Sequence, residues 1–159
     1  MQDKQALIQA VAQSNRLDVI GTDHAPHTWQ EKQQSYFKAP SGLPLVQHAL
    51  PALVELVADK QISIETLVQK TSHQVADLFH IKDRGYIREG YWADLVLLKE
   101  NKAQTAVHET KNYMYCGWTP FKHNTFRYLV DTTIISGQLA WHQNQFFLNC
   151  YGQALEIDR

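Results

Sequence analysis

The chain has 159 residues, 44% of them hydrophobic, with 15 basic and 16 acidic side chains and a formal net charge of −1. That length suits one ordinary domain and falls short of the roughly 250 residues of a complete (β/α)8 barrel. Balanced charge gives no support to nucleic-acid binding, no apolar run reaches the ~18–20 residues of a membrane span, and Met1-Gln2-Asp3-Lys4 does not open a signal peptide.

Gln2 to Ser14 is predicted as a short helix, with Ala6, Leu7, Ala10 and Val11 on one face and Asn15 as its stop. Leu17 to Thr22 reads as a strand, in which Val19, Gly21 and Asp23 point to one side and Asp18, Ile20 and Thr22 to the other. Gly21 leaves room in front of Asp23. Residues 25 to 42 keep no steady period and contain Pro26, Pro40 and Gly42, so they read as one long loop, a kind that is usually functional or disordered. Leu45 to Ala58 reads as a helix with Pro51 imposing a kink or restart. A second helix begins at Ser63, whose hydroxyl can cap it, and a third at Thr71-Ser72-His73-Gln74.

Beyond Ile81 the pattern becomes short and β-like. Gly85-Tyr86-Ile87 precedes a turn at Gly90, and Ala93 to Leu98 reads as a buried strand. Residues 100 to 125 are polar and irregular. Tyr128 to Ile135 and Gln138 to His142 flank Ser136-Gly137, a tight-turn signal, and Gln145 to Leu148 adds a further short strand. Trp92, Trp118 and Trp141 are assigned to packing within this β part. Cys116 and Cys150 lack metal-like spacing and read as reduced thiols in a cytoplasmic protein. The chain divides near residue 80.

The chemistry concentrates in Gly21-Thr22-Asp23-His24-Ala25-Pro26-His27-Thr28. A carboxylate at the exit of a buried strand can bind a divalent metal or act as a general base, and in parallel α/β architectures that exit is where active sites are built. Spacing alone leaves a turn-forming or helix-capping Asp equally open. Two intervening residues between His24 and His27 do not make a zinc site, which needs three or four ligands converging from separate elements. Glu31 and Lys32 read as a solvated face of the loop, and His73 as a capping or packing residue.

This stretch, followed by Glu31-Lys32, resembles the final barrel-strand signature of dihydroorotases in the amidohydrolase superfamily. Ala39-Pro40-Ser41-Gly42-Leu43-Pro44 resembles that family's next loop. Thr71-Ser72-His73, Arg84-Gly85-Tyr86-Ile87, Gly90-Tyr91-Trp92-Ala93-Asp94-Leu95-Val96 and Ser136-Gly137-Gln138-Leu139-Ala140-Trp141 are similar to its later segments. The likeness runs from about residue 5 to residue 145. The β-domain segments are shared with other cyclic amidases. The Asp-His-Ala-Pro-His run is more selective, because hydantoinase-like relatives usually lack a histidine at the position of His27.

The resemblance implies an α/β fold: the C-terminal fragment of a metal-dependent hydrolase TIM barrel over residues 1–80 (last strand and helices), then part of a composite β-sandwich domain over 81–159. It implies zinc-dependent interconversion of N-carbamoyl-L-aspartate and L-dihydroorotate. In that scheme Asp23 ligates the more buried zinc of a binuclear pair and shuttles the proton, His27 donates to the substrate carboxylate, and Ser41 and Gly42 offer backbone groups to the substrate ring. His24, on the other side of the strand, remains structural.

The family's His-x-His, carboxylated lysine and remaining histidines have no counterpart here. The chain is therefore expected to be inactive and without a useful zinc site alone, and to be, first, a truncated part of a longer enzyme, or else to self-associate or pair with a separate chain supplying the missing barrel. A non-catalytic scaffold and an allantoinase- or hydantoinase-type enzyme are the alternatives.

Overall fold

The computed structural model describes residues 2–13 and 17–158. Helix α1 spans Gln2–Gln13, so the expected stop at Ser14 and Asn15 lies outside the described residues. Its buried residue is Ile8, while Leu7, placed on the core face by spacing, is 62% exposed. Ile8 joins Val54, Ile62 and Leu67 in one buried cluster, flanked by Val11, Leu50, Leu53, Leu56 and Val57. Each such aliphatic side chain contributes about 1.5–3 kcal/mol on full burial, which makes this cluster the main source of cohesion in the helical half.

Leu17 to Thr22 does not form a ladder. The Ile20 amide donates to the Lys70 carbonyl at 2.9 Å, and the buried Lys70 ammonium donates to the Leu17 carbonyl. The segment is thus held by a helix and not by a neighbouring strand, which corrects the expected strand. Its apolar residues are suited to a strand, but among the described residues none lies alongside to pair with it.

Helix α2, Trp29–Lys32, interrupts the stretch expected to be one long loop. Thr28 and Glu31 form a reciprocal capping box that starts it, a signature readable as Thr-x-x-Glu. Helix α3 is Ala49–Ala58, with His48 as its N-cap residue, and so begins four residues later than the periodicity suggests. Pro51 therefore falls in its first turn, where the missing N–H has no helical acceptor to lose, and no kink is required.

Ser63 caps α4, Ile64–Val68, by accepting from the Thr66 amide. A five-residue π turn, Gln69–His73, leads directly into α5, Gln74–Leu78, so the expected separate third helix is a continuation. The wider turn lets the Thr71 hydroxyl donate to the Leu67 carbonyl and the Ser72 hydroxyl to the Gly85 carbonyl. His73 stacks flat on Tyr86 at 4.2 Å, as a packing residue. Gly85 has a φ of +81, and a Cβ there would stand 2.5 Å from that of Ala76.

Residues 85–87 form a bend and not a strand. Strands β1 (Leu95–Glu100), β2 (Tyr128–Ile135), β3 (Gln138–His142) and β4 (Gln145–Phe146) form one antiparallel sheet in sequential order. The strand expected to be buried, β1, is largely exposed, with Val96, Leu97 and Leu98 at 47%, 49% and 36%. It is an outer strand, so only β2 covers it. The β2–β3 turn, with Ser136 at φ 51 and Gly137 at φ 79, has the left-handed pair that two-residue hairpins favour.

Residues 101–127 cross back over the helical half. Arg127 anchors this return at the start of β2: its Nε donates to Glu55 Oε2 at 2.8 Å, and its amide to Glu55 Oε1 at 2.6 Å. Asp59 takes a third bond from the same guanidinium, and together these acceptors hold it in the charged form.

Candidate functional site

Asp23 lies at the end of the extended segment, exposed, with a φ of +44. Aspartate tolerates the left-handed region better than most residues, and positive-φ residues outside glycine are worth attention as functional positions. Among the described residues nothing hydrogen-bonds its carboxylate, and nothing stands within 4 Å of a Cβ built on Gly21 two residues before it.

The positive φ also interrupts the strict strand alternation invoked to set His24 opposite Asp23. His24 is nevertheless structural. Its Nδ1 accepts from the Leu45 amide at 3.0 Å and the Val46 amide at 3.2 Å, which places the ring proton of the neutral imidazole on Nε2. A parallel bridge between His24 and Leu43, with the Ala25 amide donating to the Leu43 carbonyl at 3.0 Å, closes the neck of the loop.

Inside that loop, Lys32 is half-buried, and its ammonium donates to the carbonyls of Pro40 (2.6 Å) and Gly42 (3.1 Å). Glu31 Oε2 accepts from the Thr28 amide at 2.6 Å and the Thr28 hydroxyl at 2.8 Å. These bonds, the side-chain one first, hold its carboxyl below the usual range, with the nearby His27 adding to the effect. The pair expected to be a solvated face is therefore the internal bracing of the loop. Gly42, at φ +93, packs against Ala25, whose Cβ would lie 2.4 Å from a Cβ at position 42; only glycine permits that closeness. Ser41 beside it is exposed. The neck bridge thus places His27, Ser41 and Gly42 on one closed loop, with Asp23 immediately before the neck.

Trp118, assigned from sequence to β packing, belongs here instead. Its indole N–H donates to the His27 carbonyl at 2.7 Å, and its ring meets Trp29 edge-on at 5.5 Å. Trp141 does pack in the β part, against Tyr113 and Phe146. His48 was not singled out by sequence. It is buried, its Nδ1 lies 3.2 Å from the Thr119 hydroxyl, and it stacks on Phe126. Desolvation lowers its pKa and favours the neutral ring.

Among the described residues no three His, Cys, Asp or Glu side chains converge. Asp23 by itself does not make a zinc site, so the residues present do not fit a metal centre of their own.

Residues 41–140 match the amidohydrolase family. The chain belongs to that family. Amidohydrolase relatives include the dihydroorotase of Halobacterium salinarum, 36% identical over 138 residues that make up 87% of this chain and 32% of that protein. The dihydroorotase of Methanosphaera stadtmanae is 34% identical over 134 residues, 84% of this chain and 31% of that one. The chain thus spans about a third of the length of the curated amidohydrolases it matches. Among solved structures, a D-hydantoinase (dihydropyrimidinase) from Thermus sp. superposes with a TM-score of 0.79 over 91% of this chain and 32% of its own, at 23% identity. That likeness establishes the fold, a mixed α/β arrangement seen in cyclic-amide amidohydrolases.

Proposed function

We propose that the chain carries the strand-exit loop of a cyclic amide hydrolase of the dihydroorotase type, acting on N-carbamoyl-L-aspartate and L-dihydroorotate in pyrimidine biosynthesis. Residues 1–80 are assigned to the C-terminal part of a TIM barrel and 81–159 to part of a composite β-sandwich. The observation that supports this reading best is the contrast within one loop. Its neighbours His24, Glu31 and Lys32 are spent on scaffolding, while Asp23 is exposed at the neck with no hydrogen-bond partner for its carboxylate among the described residues.

In this reading Asp23 takes a proton from the attacking water and returns it to the departing ring nitrogen. His27 donates a hydrogen bond to the substrate carboxylate, and the Ser41–Gly42 backbone lies along the ring, where the missing Cβ allows close approach. Zinc belongs to the assembled enzyme, with Asp23 as the one ligand this chain contributes. Further barrel strands complete the site, whether they belong to the same longer polypeptide, to a partner chain or to a second copy, and cytoplasmic location goes with the pathway. No described helix is long and apolar enough to cross a membrane.

A chimera tests the proposal. This chain replaces the matching 138-residue segment of the Halobacterium dihydroorotase, and dihydroorotate hydrolysis is assayed. Activity that falls at least about a thousandfold with Asp23→Asn, and a raised KM with His27→Ala, is the expected result. A folded, metal-loaded chimera that hydrolyses hydantoins and not dihydroorotate would shift the reading to the hydantoinase type, which the structural likeness favours and His27 disfavours. A folded chimera inert toward both classes would leave the scaffold reading.

A further inference from the structure

We infer that Trp118 is a positioning residue for His27: the returning segment 111–119 presents its indole as the outside brace that fixes where His27 stands. The inference rests on the substrate-binding reading of His27. It begins with four consecutive residues at the entry to α3. The Leu45 and Val46 amides both donate to His24 Nδ1. Gln47 accepts from the Tyr113 amide at 2.8 Å and donates to the Lys111 carbonyl at 2.9 Å. His48 meets the Thr119 hydroxyl. Residues 45–48 therefore hold the base of the loop on one side and both ends of segment 111–119 on the other.

Trp118 sits inside that clamped segment. Among the described residues its bond to His27 is the one hydrogen bond that reaches residues 25–43 from anywhere beyond the entry to α3. The remaining ties of the loop, through Glu31 and Lys32, are internal and set its shape without setting its place. The brace acts at the His27 carbonyl, one bond from the Cα that carries the imidazole. A loop free to swing there would spread the imidazole over many positions and weaken recognition of an anionic group, because preorganisation is lost.

The test uses the full chain and NMR. Trp118→Phe keeps an aromatic edge for Trp29 and removes the N–H. A benzothienylalanine at 118 keeps the whole bicyclic shape and removes only the N–H, which guards against misfolding. In the unaltered chain the Trp118 indole proton exchanges about tenfold more slowly than that of Trp92, as expected for a bonded donor. With either change, amide exchange at Lys32 and Gln33 rises about tenfold while Asp59 in the α3 cap stays the same.

N-carbamoyl-L-aspartate is then titrated against the His27 ring resonances of the Halobacterium chimera, which supplies the remaining barrel strands, and binding about tenfold weaker with both changes completes the expected result. Unchanged loop exchange, equal affinity, or a loosening spread uniformly to Asp59 would overturn the brace. If the His27 ring ignores the ligand in the unaltered chimera while the loop still loosens on alteration, the substrate-binding reading of His27 falls and the hold of Trp118 on the loop stands.

Discussion

Leu67 on α4 is 2% exposed, whereas Leu97 in the middle of β1 is 49% exposed. Both stand in apolar runs of similar strength. A helix closes its own backbone hydrogen bonds and can bury a stripe against one neighbour; a sheet must cover two faces and two edges before an apolar strand is truly interior. In the helical half α1, α3, α4 and the Gln61–Ile62 connection supply that cover from within the described residues. The sheet has β2 beside β1, and among the described residues no strand pairs with the other edge of β1. Apolar patterning therefore predicts what a segment is made to face, while burial depends on what is present to face it.

The largest test of this contrast is a pair of truncations. Leu67→Ala is expected to cost about 2–5 kcal/mol, and Leu97→Ala less than about 1 kcal/mol, read from urea midpoints at constant slope. Equal costs would dissolve the distinction between the two regions. Next comes the junction. Gly85→Ala must drive its Cβ against Ala76 and the Ser72 carbonyl as well as hold a positive φ, so about 1–3 kcal/mol is expected. Gly90→Ala, equally left-handed at φ +83 but with open space around it, should lose only the backbone part, about 1 kcal/mol. Thermal melts of the two variants side by side separate contact from conformation.

A third test uses pH. His48 is held below its ordinary 6.5 by burial, so the folded chain binds this proton less readily than the unfolded chain. Stability tied to His48 is whole above about 6.5 and is lost as pH falls through the lowered value. His48→Phe should flatten that slope in a series of denaturation curves between pH 7 and 5; an unaltered slope would remove His48 from the account. The smallest effect is expected at Asp23. The exposed carboxylate, without a hydrogen-bond partner among the described residues, can become Asn, which also tolerates a positive φ, with a change within about ±0.5 kcal/mol in stability read from the denaturation midpoint. A loss of stability beyond that would mean that Asp23 serves the fold.

Features written in neighbouring residues were legible before the structure. The Ser136-Gly137 turn and the Ser63 cap are local chemistry, and both are found as expected. The Thr28–Glu31 capping box was equally local and was passed over, because Pro26 and Pro40 drew the reading toward an unstructured loop. The strand at Leu17 to Thr22 and the depth of β1 failed for one reason: period and composition say nothing about whether a pairing partner is there. Lys70 and Trp118 lie beyond any local reading. A lysine tucked under a backbone carbonyl 53 positions away, and an indole bonded 91 positions away, are products of tertiary arrangement. As for the site, the sequence pointed to the loop and proposed its candidate residues, and the structure supplied the bracing that holds the loop's shape.

The entry to α3 carries one more consequence. Two of the bonds made by residues 45–48 come from main-chain amides, which every amino acid except proline possesses. Positions 45 and 46 should thus accept wide changes of side chain as far as those bonds are concerned. An added or deleted residue is different, because it changes which residues occupy the turn at 46–48 that leads into α3. A single-residue indel would point Gln47 and His48 away from their partners at 111–119, so this stretch should be strict in length while lenient in spelling.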